Sequence, residues 1–327
     1  MVHRKKYLFS QVTIIGLGLI GGSLALALRE RGIVHRIIGV DANPSALRKA
    51  RAMGAIDEGF REWKSAARLE QSDLVVLALS PMGVRLMAHH IGSVSRSPLI
   101  LTDVASTKSY IVRTLERELP SRIKFIGGHP MAGSHRSGIQ AADPELFSGA
   151  PCIVTRTRRT DEKALAKVSR MWRLVGGKVF VMNPARHDRL VAQISHIPHL
   201  AAVGLTLCVS PEALKLAGRG FSDTTRVALG STRLWFEICK LNQKEIIQAL
   251  DRFIKEMVDL RDSFSRPLRL YGREWRKVFV GLKSSIPDRD MRRLRGKSIG
   301  EYIGEKLRRA QRIRQQLETG EAPRHHH

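Results

Sequence analysis

The chain has 327 residues, 43% of them hydrophobic, which is enough to bury a sizeable core and long enough for two domains. Its formal net charge is +26, a field that attracts anions. The three cysteines, Cys152, Cys208 and Cys239, lie far apart with no C-x-x-C, which argues against a disulfide framework and a zinc site and fits a reducing cytoplasm.

Residues 1–6 are basic and 8–28 are mostly apolar, a pattern that imitates a secretory signal. Glycines interrupt the apolar run, it ends at Arg29, Glu30 and Arg31, and the next strand pattern follows at once. A β-branched run over 12–15 reads as a buried strand, and 23–31, rich in Leu and Ala, as a helix. Between them Gly16, Gly18 and Gly21 give G-x-G-x-x-G. The first glycine allows a tight turn, the second lets backbone approach a pyrophosphate, and the third lets helix pack on strand. The pyrophosphate is expected at the helix N-terminus, where free N–H groups favour an anion. A strand over 36–40 ends at Asp41, twenty residues after Gly21. A carboxylate there accepts ribose hydroxyls and repels a 2′-phosphate, favouring NAD over NADP, although Arg48 and Arg51 weaken that preference.

Further along, strands are expected over 73–79, 99–102 and 123–126, with helices over 84–91 and 107–119. This alternation is an α/β, doubly wound parallel sheet of Rossmann type. Strands over 152–155 and 178–181 flank a helix over 163–174. After about 184 the pattern turns helical, over 185–209, 244–265 and 299–317. In the last, Ile299, Ile303, Leu307, Ala310, Ile313 and Leu317 form one apolar stripe. The expected division is a nucleotide-binding domain over 1–184, an all-helical domain over 185–320, and a tail over 321–327 whose His325–His327 resembles a purification tag. Outside the N-terminal segment no apolar run reaches the ~20 residues needed to span a bilayer.

Residues 261–327 hold eighteen basic and eight acidic side chains. Nucleic acid is one conceivable partner, but no RNP motif, zinc finger or aromatic platform accompanies the charge. Around 289–314 the basic residues alternate with the apolar stripe, as on a solvated helix face. They are expected to steer anionic substrates rather than bind nucleic acid.

Five segments then occur in order: the 16–22 loop, 102–108 (TDVASTK), 127–133 (GGHPMAG), 195–199 (SHIPH) and 221–226 (FSDTTR). Together they resemble the prephenate and arogenate dehydrogenases of tyrosine biosynthesis, over roughly residues 10–280. Ser222 stands where the family typically has Arg, while Asp223 and Arg226 remain. Too few residues follow for the regulatory domain that some members carry. The resemblance implies an intertwined homodimer through the helical domain. It also implies oxidative decarboxylation of prephenate to 4-hydroxyphenylpyruvate with hydride transfer to NAD⁺, or the analogous reaction of arogenate. The loop 134–138 is closer to that of prephenate-using members.

By resemblance His129, at the carboxyl end of the sheet, is the base for the substrate's ring hydroxyl, and Ser106 reaches that hydroxyl and the nicotinamide. Read alone, His129 could as well cap a turn before Pro130, and Ser106 could be a helix N-cap. Ser195 and His199, four apart on a helix, share a face and by resemblance line the substrate pocket. Arg226 is expected to grip the ring carboxylate; its plainer role is an ion pair with Asp223. Trp235 walls the pocket or packs in the core. Asp103 and Lys108 can pair and stiffen their loop. The expected cofactor contacts are Gly16, Gly18, Leu19, Ile20, Gly21, Asp41 and Ser80; no metal is expected. A β-hydroxyacid dehydrogenase is the enzyme alternative, but its glycine-lysine helix motif is missing. A basic nucleic-acid-binding protein is the non-enzyme alternative. Absorbance at 340 nm with prephenate and NAD⁺ separates both from the first reading.

Overall fold

A computed structural model describes residues 7–63, 71–133, 138–264, 306–312 and 315. It divides into two compact units, 1–249 and 250–327. The loop 134–137 and most of 265–327 lie outside the described residues. So do the substrate hint read from 134–138 (apart from Gly138), most of the stripe over 299–317, and the terminal histidines.

The first unit starts with β1 (Phe9–Ile15), α1 (Leu19–Glu30), β2 (Val34–Val40), α2 (Pro44–Ala52) and β3 (Glu58–Phe60). It continues through β4 (Leu74–Leu77), α3 (Pro81–Val94), β5 (Leu99–Asp103), α4 (Ser109–Glu118) and β6 (Ile123–Ile126). These six strands form one parallel sheet in the order β3-β2-β1-β4-β5-β6. The order reverses between β1 and β4, and in such sheets ligands lie beyond the carboxyl ends at that switch. The strands are almost wholly apolar because helices cover both faces. Phe9, Val12, Ile14 and Leu24 pack on one face, and Ile15, Val75, Leu77 and Val84 on the other. The 8–28 run that imitates a signal is thus the first strand, the glycine turn and the first helix of this core.

The later strands do not extend this sheet. β7 (Gly128–Pro130), β8 (Pro151–Thr155) and β9 (Lys178–Met182) form a separate sheet, antiparallel between β7 and β8 and parallel between β8 and β9. Only Gly127 separates β6 from β7. A Cβ on Gly127 would stand 2.6 Å from Thr155 Oγ1, and one on Gly128 2.7 Å from the Asp103 carbonyl oxygen. Two glycines therefore let the chain leave β6 in close contact with β5 and present His129 beside the loop that follows β5. Helix α5 (Glu162–Leu174) covers the small sheet with Val168, Met171 and Trp172.

The helical part follows: α6 (Pro184–Val191), a π-helical turn (Ala192–His196), α7 (Ile197–Cys208), α8 (Pro211–Leu214), α9 (Arg219–Thr225), a 3₁₀ turn (Arg226–Leu229), α10 (Thr232–Leu241) and α11 (Gln243–Phe264). The sequence expectation of no further apolar run is corrected here. Pro184–Cys208, 25 residues, is long and apolar enough by length and composition to cross a membrane. It carries Arg186, Asp188 and Arg189 near its start, and its inward side buries His187, Asp188, His196 and His199. In the second unit, α11 continues to Phe264, and Lys306 pairs with Glu256.

Candidate active site

Gly16 has φ +96°, a conformation that favours glycine, and a Cβ there would collide with the Ala78 carbonyl oxygen beyond β4. A Cβ on Gly21 would strike the Gly16 carbonyl oxygen, so the third glycine brings α1 onto the turn. A Cβ on Gly18 would meet nothing within 4 Å, so the second glycine faces open space where a pyrophosphate can approach. Leu19 and Ile20 open α1 there. Asp41 Oδ2 accepts from the Leu17 N–H and Oδ1 from the Asn43 N–H, both at 2.8 Å. The carboxylate is thereby fixed at the end of β2, and each oxygen keeps a second lone pair. A cleft of about 470 Å³ runs past Gly16, Asp41, Arg61 and Leu79. A dinucleotide fits these residues: a glycine cradle open at Gly18, a helix N-terminus, and an oriented carboxylate. Ser80 caps α3, its Oγ accepting the Gly83 N–H at 3.3 Å.

The expected base sits in a hydrogen-bonded chain. His129 Nδ1 lies 2.8 Å from His187 Nε2, and His187 Nδ1 lies 2.8 Å from Asp188 Oδ1. Asp188 also accepts the N–H groups of Lys108 (Oδ1) and Ser109 (Oδ2), each at 2.8 Å. Exposures are 7% for His129, 0% for His187 and 1% for Asp188. Burial alone would raise the Asp188 carboxyl pKa, but His187 and the two backbone donors hold it below its ordinary value. Burial, then the neighbouring His187, Lys108 and His196, push His129 well below the usual histidine range, so it is neutral near pH 7. Burial also lowers His187, against the pull of Asp188.

Asp103 and Lys108 pair, both side chains fully buried. Asp103 also accepts the Gly128 N–H at 3.0 Å and the Ala105 N–H at 3.1 Å. The pair thus ties the loop after β5 to the start of β7 and sets where His129 stands. Ser106 is half-buried in that loop but is not a helix cap. α4 starts three residues later, and its first N–H groups are capped by Asp188 from α6.

On the helical side, Ser195 lies in the π turn, half-buried, and His199 is buried in α7. His199 is flat against Trp235 of α10, with centroids 3.5 Å apart and planes 8° from parallel. Trp235 also meets the edge of His196 at 5.9 Å. His196 Nδ1 lies 3.2 Å from Asn242 Nδ2, which also donates to the Asp188 carbonyl at 2.9 Å. Burial lowers His196 to about 4. The His196 Nε2 and His199 Nδ1 atoms are buried without a hydrogen-bond partner. Arg226 is exposed at the start of its 3₁₀ turn, and among the described residues no ion pair joins it to Asp223, correcting that expectation. Glu237 of α10 accepts the Met82 N–H at 3.0 Å, fastening α10 to the start of α3.

The structure thus gathers His129, the loop holding Ser106, and the His196–His199–Trp235 group around α6 and the π turn, and leaves Arg226 facing solvent. Comparison with known proteins places this arrangement. The nucleotide-binding domain model of prephenate dehydrogenase matches residues 24–181, and the dimerization domain model matches 183–267. The chain belongs to the prephenate dehydrogenase family. It is 34% identical to prephenate dehydrogenase of Bacillus subtilis over 258 residues, 76% of this chain and 69% of that one. It is 30% identical to cyclohexadienyl dehydrogenase of Zymomonas mobilis, over 87% of this chain and 99% of that one. Among solved structures it resembles A. aeolicus prephenate dehydrogenase in complex with hydroxyphenyl propionate and NAD⁺. That match has TM-score 0.72 and 35% identity, and covers 79% of this chain and 91% of that one. A Synechocystis arogenate dehydrogenase matches at TM-score 0.66 and 32% identity, over 78% and 92%.

Sequence reasoning missed His187, Asp188, His196, Asn242 and Glu237. His187, Asp188 and His196 lie inside the helical pattern 185–209, where a polar residue reads as surface until its distant partner is known; Glu237 in α10 and Asn242 at its C-cap fall where no element was expected.

Proposed function

We propose that the chain is an NAD-dependent prephenate dehydrogenase, converting prephenate to 4-hydroxyphenylpyruvate and CO₂ in tyrosine biosynthesis. The observation that carries this reading is a neutral, buried His129 at the carboxyl end of a dinucleotide-binding sheet, in a chain whose relatives are prephenate dehydrogenases. Gly16, Gly18, Leu19, Ile20, Gly21, Asp41 and Ser80 would hold NAD⁺, and the bound nicotinamide supplies the hydride acceptor. His129 takes the ring-hydroxyl proton. Ser106 orients that hydroxyl. Arg226 grips the ring carboxylate, its exposure in the free chain leaving it open to a substrate anion. Ser195, His199 and Trp235 line the pocket. Asp41 favours NAD over NADP, although exposed Arg48 and Arg51 and the cleft-lining Arg61 stand nearby.

The working domain division is 1–184 and 185–320, supported by family models that meet between 181 and 183. The helical part pairs with a second copy, as the matched dimerization domain suggests. Exposed Leu205, Leu207, Leu216, Leu229 and Phe236 are suited to such burial. Free cysteines fit a cytoplasmic site, with neither membrane nor nucleic acid as partner. Arogenate is the second reading, favoured by the arogenate and cyclohexadienyl dehydrogenase relatives. Steady-state rates at 340 nm with each substrate decide between them: prephenate is expected to give the larger kcat/KM. No signal with either rejects the assignment.

A further inference from the structure

We propose that His187 and Asp188 are the buried half of the base: they fix His129 with a bare Nε2 and hold, during turnover, the proton that His129 removes. This rests on the prephenate reading above.

The hydrogen bonds leave one consistent set of tautomers. Asp188 accepts three N–H groups, from Lys108, Ser109 and His187, at the N-terminus of α4, a setting for an acceptor-only carboxylate. His187 therefore carries its hydrogen on Nδ1, and its Nε2 is bare. That nitrogen can only accept, so His129 donates from Nδ1 at 2.8 Å, and the Nε2 of neutral His129 is left as a lone pair. A neutral histidine on its own has no reason to prefer this tautomer.

The surrounding charges favour moving the proton inward. The groups around the two rings are Lys108 and Asp103 on the β5–α4 loop, Asp188 on α6, and His196 in the π turn. Lys108 disfavours a cation on either ring, so the difference lies in the carboxylate: none is in contact with His129. One ring inward, a cation on His187 meets the Asp188 carboxylate at 2.8 Å.

The O–H bond of the ring alcohol breaks and its proton goes to His129 Nε2, while the Nδ1 proton of His129 passes to His187 Nε2. The ring carbon loses hydride, with its electron pair, to NAD⁺ and becomes a carbonyl. The ring then loses CO₂, the electrons of that carbon–carbon bond make the ring aromatic, and the carbonyl oxygen takes a proton back from His129 as His187 returns its own. Prephenate, NAD⁺ and the products balance with no net proton released. A proton that is lent and returned needs a store rather than an outlet, and a chain of residues 7%, 0% and 1% exposed is such a store.

The test uses the full chain. In Asp188→Asn the negative charge that holds a proton on His187 is lost, and the amide nitrogen must face an N–H donor, that of Lys108 if it takes the Oδ1 place or that of Ser109 if it takes the Oδ2 place. Turnover is expected to fall by roughly 10²–10⁴, the range of a positioned acid–base group, with KM for prephenate and Kd for NAD⁺ within about threefold. Because Asp188 also caps α4, His187→Phe is the second variant. It leaves the cap intact and is expected to lower turnover at least about tenfold, again without a matching change in KM. ¹⁵N-resolved histidine NMR of free wild-type enzyme is expected to show His129 and His187 both as Nδ1–H tautomers, a signature that a purely structural role does not require. An Nε2–H tautomer on either ring, or His187→Phe within about threefold of wild-type turnover, overturns the relay. A wild-type chain that oxidises neither prephenate nor arogenate overturns instead the function on which it rests.

Discussion

His199 lies flat on Trp235, and Gly230 makes room for the pair. A Cβ on Gly230 would come within 2.8 Å of Trp235 Cδ1 and 3.2 Å of His199 Cε1. The backbone at Gly230 has φ −58° and ψ 152°, which any residue adopts, so Gly230→Ala stresses only the stack. An aromatic ring pair is worth about 0.5–1.5 kcal/mol beyond its buried area. The expected outcome is a rise in KM for prephenate of roughly 3–10-fold with Kd for NAD⁺ unchanged. Equal changes in both would place the stack outside the substrate pocket.

Replacing His129 with Asn is expected to lower turnover by roughly 10²–10⁴ and to leave cofactor binding intact. The pH profile carries a second signature. His129 must be neutral to accept a proton, and burial together with His187, Lys108 and His196 sets its pKa well below 6.5. The acid limb of log kcat/KM should therefore fall only well below pH 6.5, with no inflection from His129 between pH 6.5 and 8. A midpoint near 6.5 would mean a solvated base.

Stability should depend on pH through the same cluster. Buried His196 titrates at about 4 in the folded chain against 6.5 as the ordinary value. Between these values the unfolded chain binds more protons, so stability rises with pH in that window and is lost as pH falls through it. At about 1.4 kcal/mol per pKa unit, this one residue contributes about 3 kcal/mol above pH 6.5 that is gone near pH 4. Urea midpoints from pH 4 to 7 check this, and His196→Asn should flatten part of the slope.

The glycine loop, the acid after β2 and the alternation of strands and helices were legible because each is a local pattern. β3 and β7 were not: each has three residues, and β7 contains a glycine and a proline. β7 is a strand only because it pairs with β8, at His129 opposite Ile153. The span 185–209 read as one helix, whereas the π turn at Ala192–His196 inserts extra backbone before His199. In the site, His129 and Ser106 were visible through motifs, while His187 and Asp188 resemble surface positions of an amphipathic helix. Their roles come from partners 58 and 80 residues away in sequence.

Asp41 fixes its two oxygens on the N–H groups of Leu17 and Asn43, so its charge faces the cleft in one orientation. Asp41→Ser keeps an acceptor and removes the charge. NAD⁺ should bind roughly tenfold more weakly, and the preference for NAD⁺ over NADP⁺ should shrink as Arg48, Arg51 and Arg61 meet the 2′-phosphate unopposed. Wild-type enzyme already preferring NADP⁺ would refute this reading of the end of β2.

Arg226 gives the sharpest separation of substrate from cofactor. It is exposed, with no ion pair to Asp223, and the adjacent Val227 interacts through its backbone with His199. A guanidinium so placed can meet the ring carboxylate with two parallel N–H donors, whereas lysine offers the same charge without the fork. Arg226→Lys should therefore raise KM for prephenate by roughly tenfold or more and leave KM for NAD⁺ within about twofold; Arg226→Ala should be worse. Truncating one side of a desolvated charge pair costs about 2–5 kcal/mol, which sets the upper range for Ala. Salt should weaken wild-type binding as well, since the +26 chain steers a dianion from a distance. That long-range part survives in both variants, so their salt slopes should stay close to wild type while their KM values differ. An equal rise in both Michaelis constants would assign Arg226 to the fold and the ring carboxylate to another cation.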